Sequence, residues 1–514
     1  MKKTKFQLTG NDLTVDQVYE LSHAGPSSVI FELHPNSKKR MVKSQLVVKE
    51  ISKSDKPVYG INTGFGALSN KFIPKKDIVD LQLNLIRSHC TGVGEPFSRE
   101  ITRAIMILRA NCLAHGNSGV NPEFVELILD FLNEDVLPVI PTKGSVGASG
   151  DLAPLAHMAL CLIGEGEVNF QGKIISAKDA IKKIKKKPVT PGPKDGLALI
   201  NGTAVMAALG SLAIYGAKVV MKTADITASL TLEGLRGSIK AYHPGISKLK
   251  PHRGQIEVSE NINKILKGSE IINSHKNCGK VQDPYSLRCV PQVHGACRQT
   301  LYHNQEIFAV ELNSVTDNPL ILEGTNEVVS GGNFHGEALA LCMDYLAMGL
   351  SEIANISERR IEKMMNPQFS ELPAFLTKDS GLNSGLMIAH VTAAALASEN
   401  KYLCHPASVD SIPTSTDKED HVSMGVTSGR KLHEVLKNTT TNLAIELLCA
   451  TQAIDLGRPL KSTPAVEAVV KSIRKHVPFI EKDRRLDKDI EAIVALIESG
   501  EIVASVEKLI GEIN

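Results

Sequence analysis

The sequence predicts an all-α protein: a long central helical bundle with small β-hairpin decorations in an N-terminal mixed part. Three observations carry this. Apolar residues recur with a helical period over long stretches, and strand-like alternation is confined to two short segments. Aromatic residues are only 4% of the 514, with no Trp, so the core must be built from Leu, Ile, Val, Ala and Met.

In chain order, Phe124, Leu127, Ile128, Phe131 and Leu132 follow Asn121-Pro122 at i, i+3, i+4, i+7 and i+8. That predicts a capped amphipathic helix with Pro in its first turn. Residues 166–176 (GEVNFQGKIIS) alternate around Gln171-Gly172 and predict a hairpin. Residues 181–187 (IKKIKKK) read as a solvated helix end, and the Pro-rich 188–193 as a linker. A division near there separates residues 1–195, a mainly helical part, from residues 196–514, a long-helix bundle with a C-terminal helical part. The longest apolar run, 203–217, holds Gly210 and Tyr215 and meets Lys218. It is too short to span a bilayer and predicts a buried helix, with no membrane partner. Residues 320–330 (LILEGTNEVVS) predict a second hairpin. Leu339, Met343, Leu346, Leu350 and Ile353 step by 4, 3, 4 and 3, and Leu443, Leu447, Ala450 and Ile454 repeat those steps. Such seams suit long helices packed side by side.

Lys+Arg minus Asp+Glu is 58 − 56 = +2, so there is no global drive toward nucleic acid. The one basic run lacks the interleaved aromatics of a nucleic-acid site. The nine cysteines are scattered and none forms a C-x-x-C pair. With no apolar segment after the N-terminal lysines, this predicts reduced thiols and a cytoplasmic location. The phosphate-binding G-x-x-x-x-G-K-[ST] and the zinc motif H-E-x-x-H are absent. Asp417-Lys418-Glu419-Asp420-His421 matches no standard ligand spacing, so no metal is expected. Ser149 is not in the G-x-S-x-G elbow of hydrolases.

Residues 144–155 (GSVGASGDLAPL) are more informative. They crowd small residues before a helix expected to start near Asp151. Gly150 has no side chain, so its amide nitrogen can approach the Ala148 carbonyl closely. Attack there closes a five-membered ring, and loss of water from Ser149 leaves an exocyclic methylidene. The product is an electrophile made from the chain itself. Five further segments stand out: YGINTGFG (59–66), NGT (201–203), QDPYSLRC with PQVHG (282–289 and 291–295), LNSVTDNP (312–319) and GNFHG (332–336).

Together with the 144–155 string, these resemble the motifs of the aromatic amino-acid ammonia-lyase family, in the family's order. The resemblance implies a 4-methylidene-imidazole-5-one group formed autocatalytically from Ala148-Ser149-Gly150, with no external cofactor. It implies elimination of ammonia from an α-amino acid, with Tyr59 as the base. Asn201, Gln282 and Tyr285 would hold the prosthetic group and the amine, Arg288 the substrate carboxylate, and Phe334 an apolar wall. A planar Arg fork suits a carboxylate better than Lys. His89, in Ser88-His89, and Glu419 are similar to the histidine-specific members and would hold an imidazole. L-histidine would then give trans-urocanate, the first step of histidine degradation. The alternative is a phenylalanine or tyrosine lyase, or an aminomutase, on the same scaffold. Asp417-Lys418 depart from the Asn-Gln that many histidine-specific members carry before this Glu. Family members form homotetramers whose sites draw on several subunits, so self-association is expected.

Overall fold

The computed structural model describes residues 4–26, 28–275 and 281–514. Helices dominate, the longest being Ala204–Gly234, Val290–Glu311, Glu337–Met365 and Gly425–Leu456. The chain forms two compact units. The first is Met1–Leu212, Gln305–Met343 and Pro406–Arg430; the second is Ala213–Asn304, Asp344–His405 and Lys431–Asn514. These units interleave along the chain, whereas the sequence reading cuts it once, near residue 195.

In the first unit, Asn121 caps helix Pro122–Asn133, its Oδ1 accepting the Glu123 N–H at 3.2 Å. Phe124, Leu127, Ile128, Phe131 and Leu132 are all buried, as the period requires. Glu167–Phe170 pairs antiparallel with Lys173–Ser176. Gln171 and Gly172 turn between them at φ +54° and +79°, the left-handed pair a two-residue hairpin turn needs. The second hairpin is also present, as Leu320–Ile321 against Val328–Val329. Val136–Pro138 adds a third strand to the first hairpin, Thr4–Leu8 pairs in parallel with Val29–Leu33, and Val93–Pro96 pairs with Pro141–Lys143. These strands span three to five residues, too short for period-2 alternation to show in sequence. The Pro-rich 188–193 is docked rather than a free linker: Val189 is buried and its N–H bonds the Leu162 carbonyl at 3.1 Å.

The apolar run at 203–217 does not stop at Lys218. It is the first half of the helix Ala204–Gly234, which by length and composition alone could cross a membrane, as could Glu337–Met365. Their apolar windows are 78% and 72% buried within the protein, as in core helices. The run looked shorter because polar residues interrupt it without breaking the helix. Thr227 and Ser229 return their hydroxyls to the carbonyls of Thr223 and Asp225 at 2.7 and 2.8 Å. Lys222 reaches Glu507 at 2.9 Å.

The predicted seams form the core. Leu339, Met343, Leu346, Leu350 and Ile353 are fully buried, and so are Leu443, Leu447, Ala450 and Ile454. In the second unit, a Cβ on Gly234 would lie 3.0 Å from that of Ala453, so glycine sets the approach of those two helices. Charged groups are buried there too. Arg360 grips Glu446 through Nε and Nη2 at 2.5 and 2.8 Å, and both side chains are fully buried. Asp225 accepts from His294 at 2.8 Å and from Arg298 at 2.6 Å. Burial alone would raise the Asp225 pKa, but Arg298 and His294 more than offset it and hold the carboxyl below its ordinary range.

Candidate active site

The segment 144–155 forms a tight turn that leads into helix Leu152–Leu162. Gly147 and Gly150 both take left-handed φ, +75° and +74°, and bridge to each other. A Cβ on Gly150 would lie 2.2 Å from the Gly202 oxygen, and one on Gly147 would lie 2.2 Å from Ser423 Oγ. Only glycine fits either place, so Ala148-Ser149-Gly150 is clamped from both sides.

Asp151 anchors the turn. Its N–H bonds the Gly202 carbonyl at 2.7 Å, and its Oδ2 accepts the N–H groups of Val205 and Met206 at 2.7 and 3.0 Å. Those amides open helix Ala204–Gly234, so the carboxylate ties the turn to a helix N-terminus. Burial pushes the Asp151 pKa up to about 7, against the pull of the two amides and Arg109.

Ser149 Oγ donates to Glu419 Oε1 at 3.3 Å. The other Glu419 oxygen accepts from Thr414 Oγ1 and Ser415 Oγ at 2.8 and 2.7 Å. The loop that carries it holds Ser415, Thr416 and Asp417 in succession at φ +51°, +52° and +62°. Non-glycine residues adopt that conformation at a cost, and such strain collects at functional sites. His89 ends helix Ile78–His89, with Nδ1 2.8 Å from the Leu85 carbonyl. That contact needs a proton on Nδ1, so in the neutral ring Nε2 is the acceptor. Tyr59 is held above the ordinary tyrosine pKa, chiefly by burial, against a bond with the Gly66 backbone and with smaller help from the charges of Glu419 and Asp317.

Asn201 ends the short helix Asp195–Ile200. Its Nδ2 donates to Asp317 Oδ1 and to the Asn318 carbonyl, both at 3.0 Å. Lys194 precedes that helix, and its Nζ lies 2.7 Å from Asp317 Oδ2 with both side chains fully buried.

Tyr59, His89, Ser149, Asn201, Phe334 and Glu419 all line one cavity of about 720 Å³. Ala148 and Gly150 flank Ser149 in the turn. Gln282, Tyr285 and Arg288 are not among the lining residues and belong to the second unit. There Arg288 lies 4.5 Å over the Tyr285 ring and donates from Nε to the Asp283 carbonyl at 3.0 Å. Tyr285 is 70% exposed. Lys418, from the departing Asp417-Lys418 pair, lines the cavity beside Glu419.

Sequence reasoning gave no role to Asp151, Lys194 or Asp317. Asp151 and Asp317 lie inside the quoted motifs, so their positions were visible although their partners were not. Nothing local marks Lys194, whose partner is 123 residues away. His335, Glu337 and His421 place one potential metal-ligating atom each within 4.8 Å of one another. Reading 417–421 alone could not bring His335 and Glu337 to that cluster.

A family model for aromatic amino acid lyases matches residues 13–475, and the chain belongs to that family. A histidine ammonia-lyase of Myxococcus xanthus is 48% identical over 98% of this chain and 99% of its own length. One from Caldanaerobacter subterraneus subsp. tengcongensis is 50% identical over 97% of both chains. The crystal structure of histidine ammonia-lyase from Trypanosoma cruzi superposes with a TM-score of 0.91 at 42% identity, covering 98% of this chain and 95% of that one.

Proposed function

We propose that the protein eliminates ammonia from L-histidine to give trans-urocanate. The observation that carries this is the placement of Ser149 against Glu419, their side chains 3.3 Å apart before any loss of the serine hydroxyl, in one cavity with Tyr59, His89 and Asn201. The turn fits a methylidene-imidazolone built from Ala148-Ser149-Gly150. Glycine stands at both points where a Cβ would collide, and the turn is fixed to Gly202 and Asp151. When formed, that group supplies an electrophilic carbon, which activates a poorly leaving amine.

The other residues bind, orient and move protons. Glu419 accepts from an imidazole N–H, and Nε2 of His89 accepts from a second donor on the ligand. Phe334 walls the ring. Asn201 meets the amine. Tyr59 Oη takes the β-proton; its raised pKa keeps it a phenol at neutral pH, so the base form grows as pH rises. The turn precedes the N-terminus of helix Leu152–Leu162, whose dipole favours negative charge developing there. We infer that the protein acts as a homotetramer, in which Arg288 of the partner subunit, with its Gln282 and Tyr285, completes the site for the substrate carboxylate and amine. A cytoplasmic location accords with the free cysteines among the described residues. The experiment is an assay of purified protein with L-histidine, following urocanate absorbance. Urocanate formation is expected; no product at any pH, with turnover of phenylalanine or tyrosine instead, overturns the reading.

A further inference from the structure

Both amide hydrogens of Asn201 are used within the protein, on Asp317 Oδ1 and the Asn318 carbonyl. Its Oδ1 is buried and meets no donor. Among the described residues, no other buried side-chain nitrogen or oxygen left without a partner belongs to a residue lining the 720 Å³ cavity. A buried acceptor without a donor is costly, so this one is kept for a donor from outside the chain. A methylidene-imidazolone at Ser149 offers a carbonyl and a ring imine nitrogen but no N–H, so it does not supply that donor. A substrate ammonium does.

An asparagine amide can present either end, and something must select the oxygen. Asp317 does so by holding the NH₂ group. Asp317 is itself fixed: Oδ1 also accepts the Asn318 N–H at 2.7 Å, and Oδ2 takes Lys194 at 2.7 Å. Lys194 and Asn201 bracket the six-residue helix Asp195–Ile200, so one carboxylate ties both of its ends. We propose that Asp317, fixed by Lys194, is a positioning residue that turns the Asn201 carbonyl toward the substrate amine. This rests on the lyase reading above.

The test compares a matched ligand pair by calorimetry: L-histidinol, which carries the α-amine, and 3-(imidazol-4-yl)propan-1-ol, which lacks it. The pair K194M/D317L removes both charges and the acceptor; K194M/D317N removes the charges and keeps an acceptor for Asn201. In K194M/D317L, L-histidinol should bind about ten- to a hundredfold more weakly while the amine-free ligand is unaffected. K194M/D317N should recover most of that loss. Parallel weakening of both ligands, or an unchanged ratio, overturns the proposal. If K194M/D317L does not fold, a neutron structure of the wild type with L-histidinol decides. Both Asn201 amide deuterons on Asp317 and Asn318 support the proposal, and either one on the ligand defeats it. Wild-type turnover of L-histidine is measured first. Its absence removes the lyase reading and this inference together, whereas turnover with an unchanged ligand ratio removes this inference alone.

Discussion

In the second unit every carboxylate oxygen of Asp225 and Glu446 has a donor. Asp225 takes His294, Arg298 and Asn261; Glu446 takes Arg360 twice and Thr231. In the first unit the buried polar groups around Ser149 are left partly open. Asp151 Oδ1 and Asn201 Oδ1 have no partner, and Asp151 titrates near 7 because burial is only partly offset. The contrast lies in these carboxylates rather than in every polar atom: Arg298 Nε, in the Asp225 network, is itself buried without a partner, but both oxygens of Asp225 and of Glu446 are met and one oxygen of Asp151 is not. A carboxylate network met on every oxygen fixes helices against one another and has no acceptor left to offer a ligand. An unsaturated one costs stability and keeps atoms available for chemistry.

Substitutions can break or sharpen that contrast. The largest effect is expected at Ser149. Ser149→Ala removes the source of the electrophile, so urocanate formation should fall below detection while the melting temperature stays close to wild type. Tyr59→Phe should lower kcat by about 10²–10⁴-fold, the usual range for losing a general base. It should also abolish a rise of kcat/KM into the alkaline range, because the phenol is held above its ordinary pKa. A pH profile of both proteins checks this.

On the other side of the comparison, Glu446→Ala leaves Arg360 buried without its partner. Breaking such a pair costs about 3–5 kcal/mol of stability. Denaturant unfolding should show that loss, while kcat per folded site stays near wild type. A large fall in kcat with intact stability would place the second network in the chemistry and erase the contrast. The smallest effect is selective. Glu419→Gln should lower kcat/KM for histidine and raise the phenylalanine-to-histidine ratio by roughly five- to 150-fold, the worth of about 1–3 kcal/mol for a carboxylate left without its donor. An unchanged ratio means that Glu419 orders the loop and does not choose the substrate.

Long-period features were legible in sequence. The seams at 339–353 and 443–454, the Asn121 cap and both hairpins carry local patterns that determine them. So does the turn at 147–150, where Gly150 is required by the approach of the Gly202 backbone and Gly147 by that of the Ser423 hydroxyl. What stayed hidden depends on distant partners. Asp317 meets Lys194 and Asn201 across 123 and 116 residues, and Ser149 meets Glu419 across 270. The apolar run 203–217 showed a buried helix but not its length, because helix Ala204–Gly234 continues past Lys218 through Ser and Thr whose hydroxyls bond inside the helix, which a hydropathy pattern does not register. The short strands pair with segments up to about 50 residues away and have too few residues for a period to emerge.

The central claim is that Ser149 becomes part of an electrophile. The mass of the segment around residues 144–155, taken from protein shown to turn over L-histidine, tests it most directly. Ring closure and loss of the serine hydroxyl each remove a water, so the active protein should be about two waters lighter than its sequence mass, and Ser149→Ala should lose no water from its side chain. An active wild type at the full unmodified mass would contradict the account.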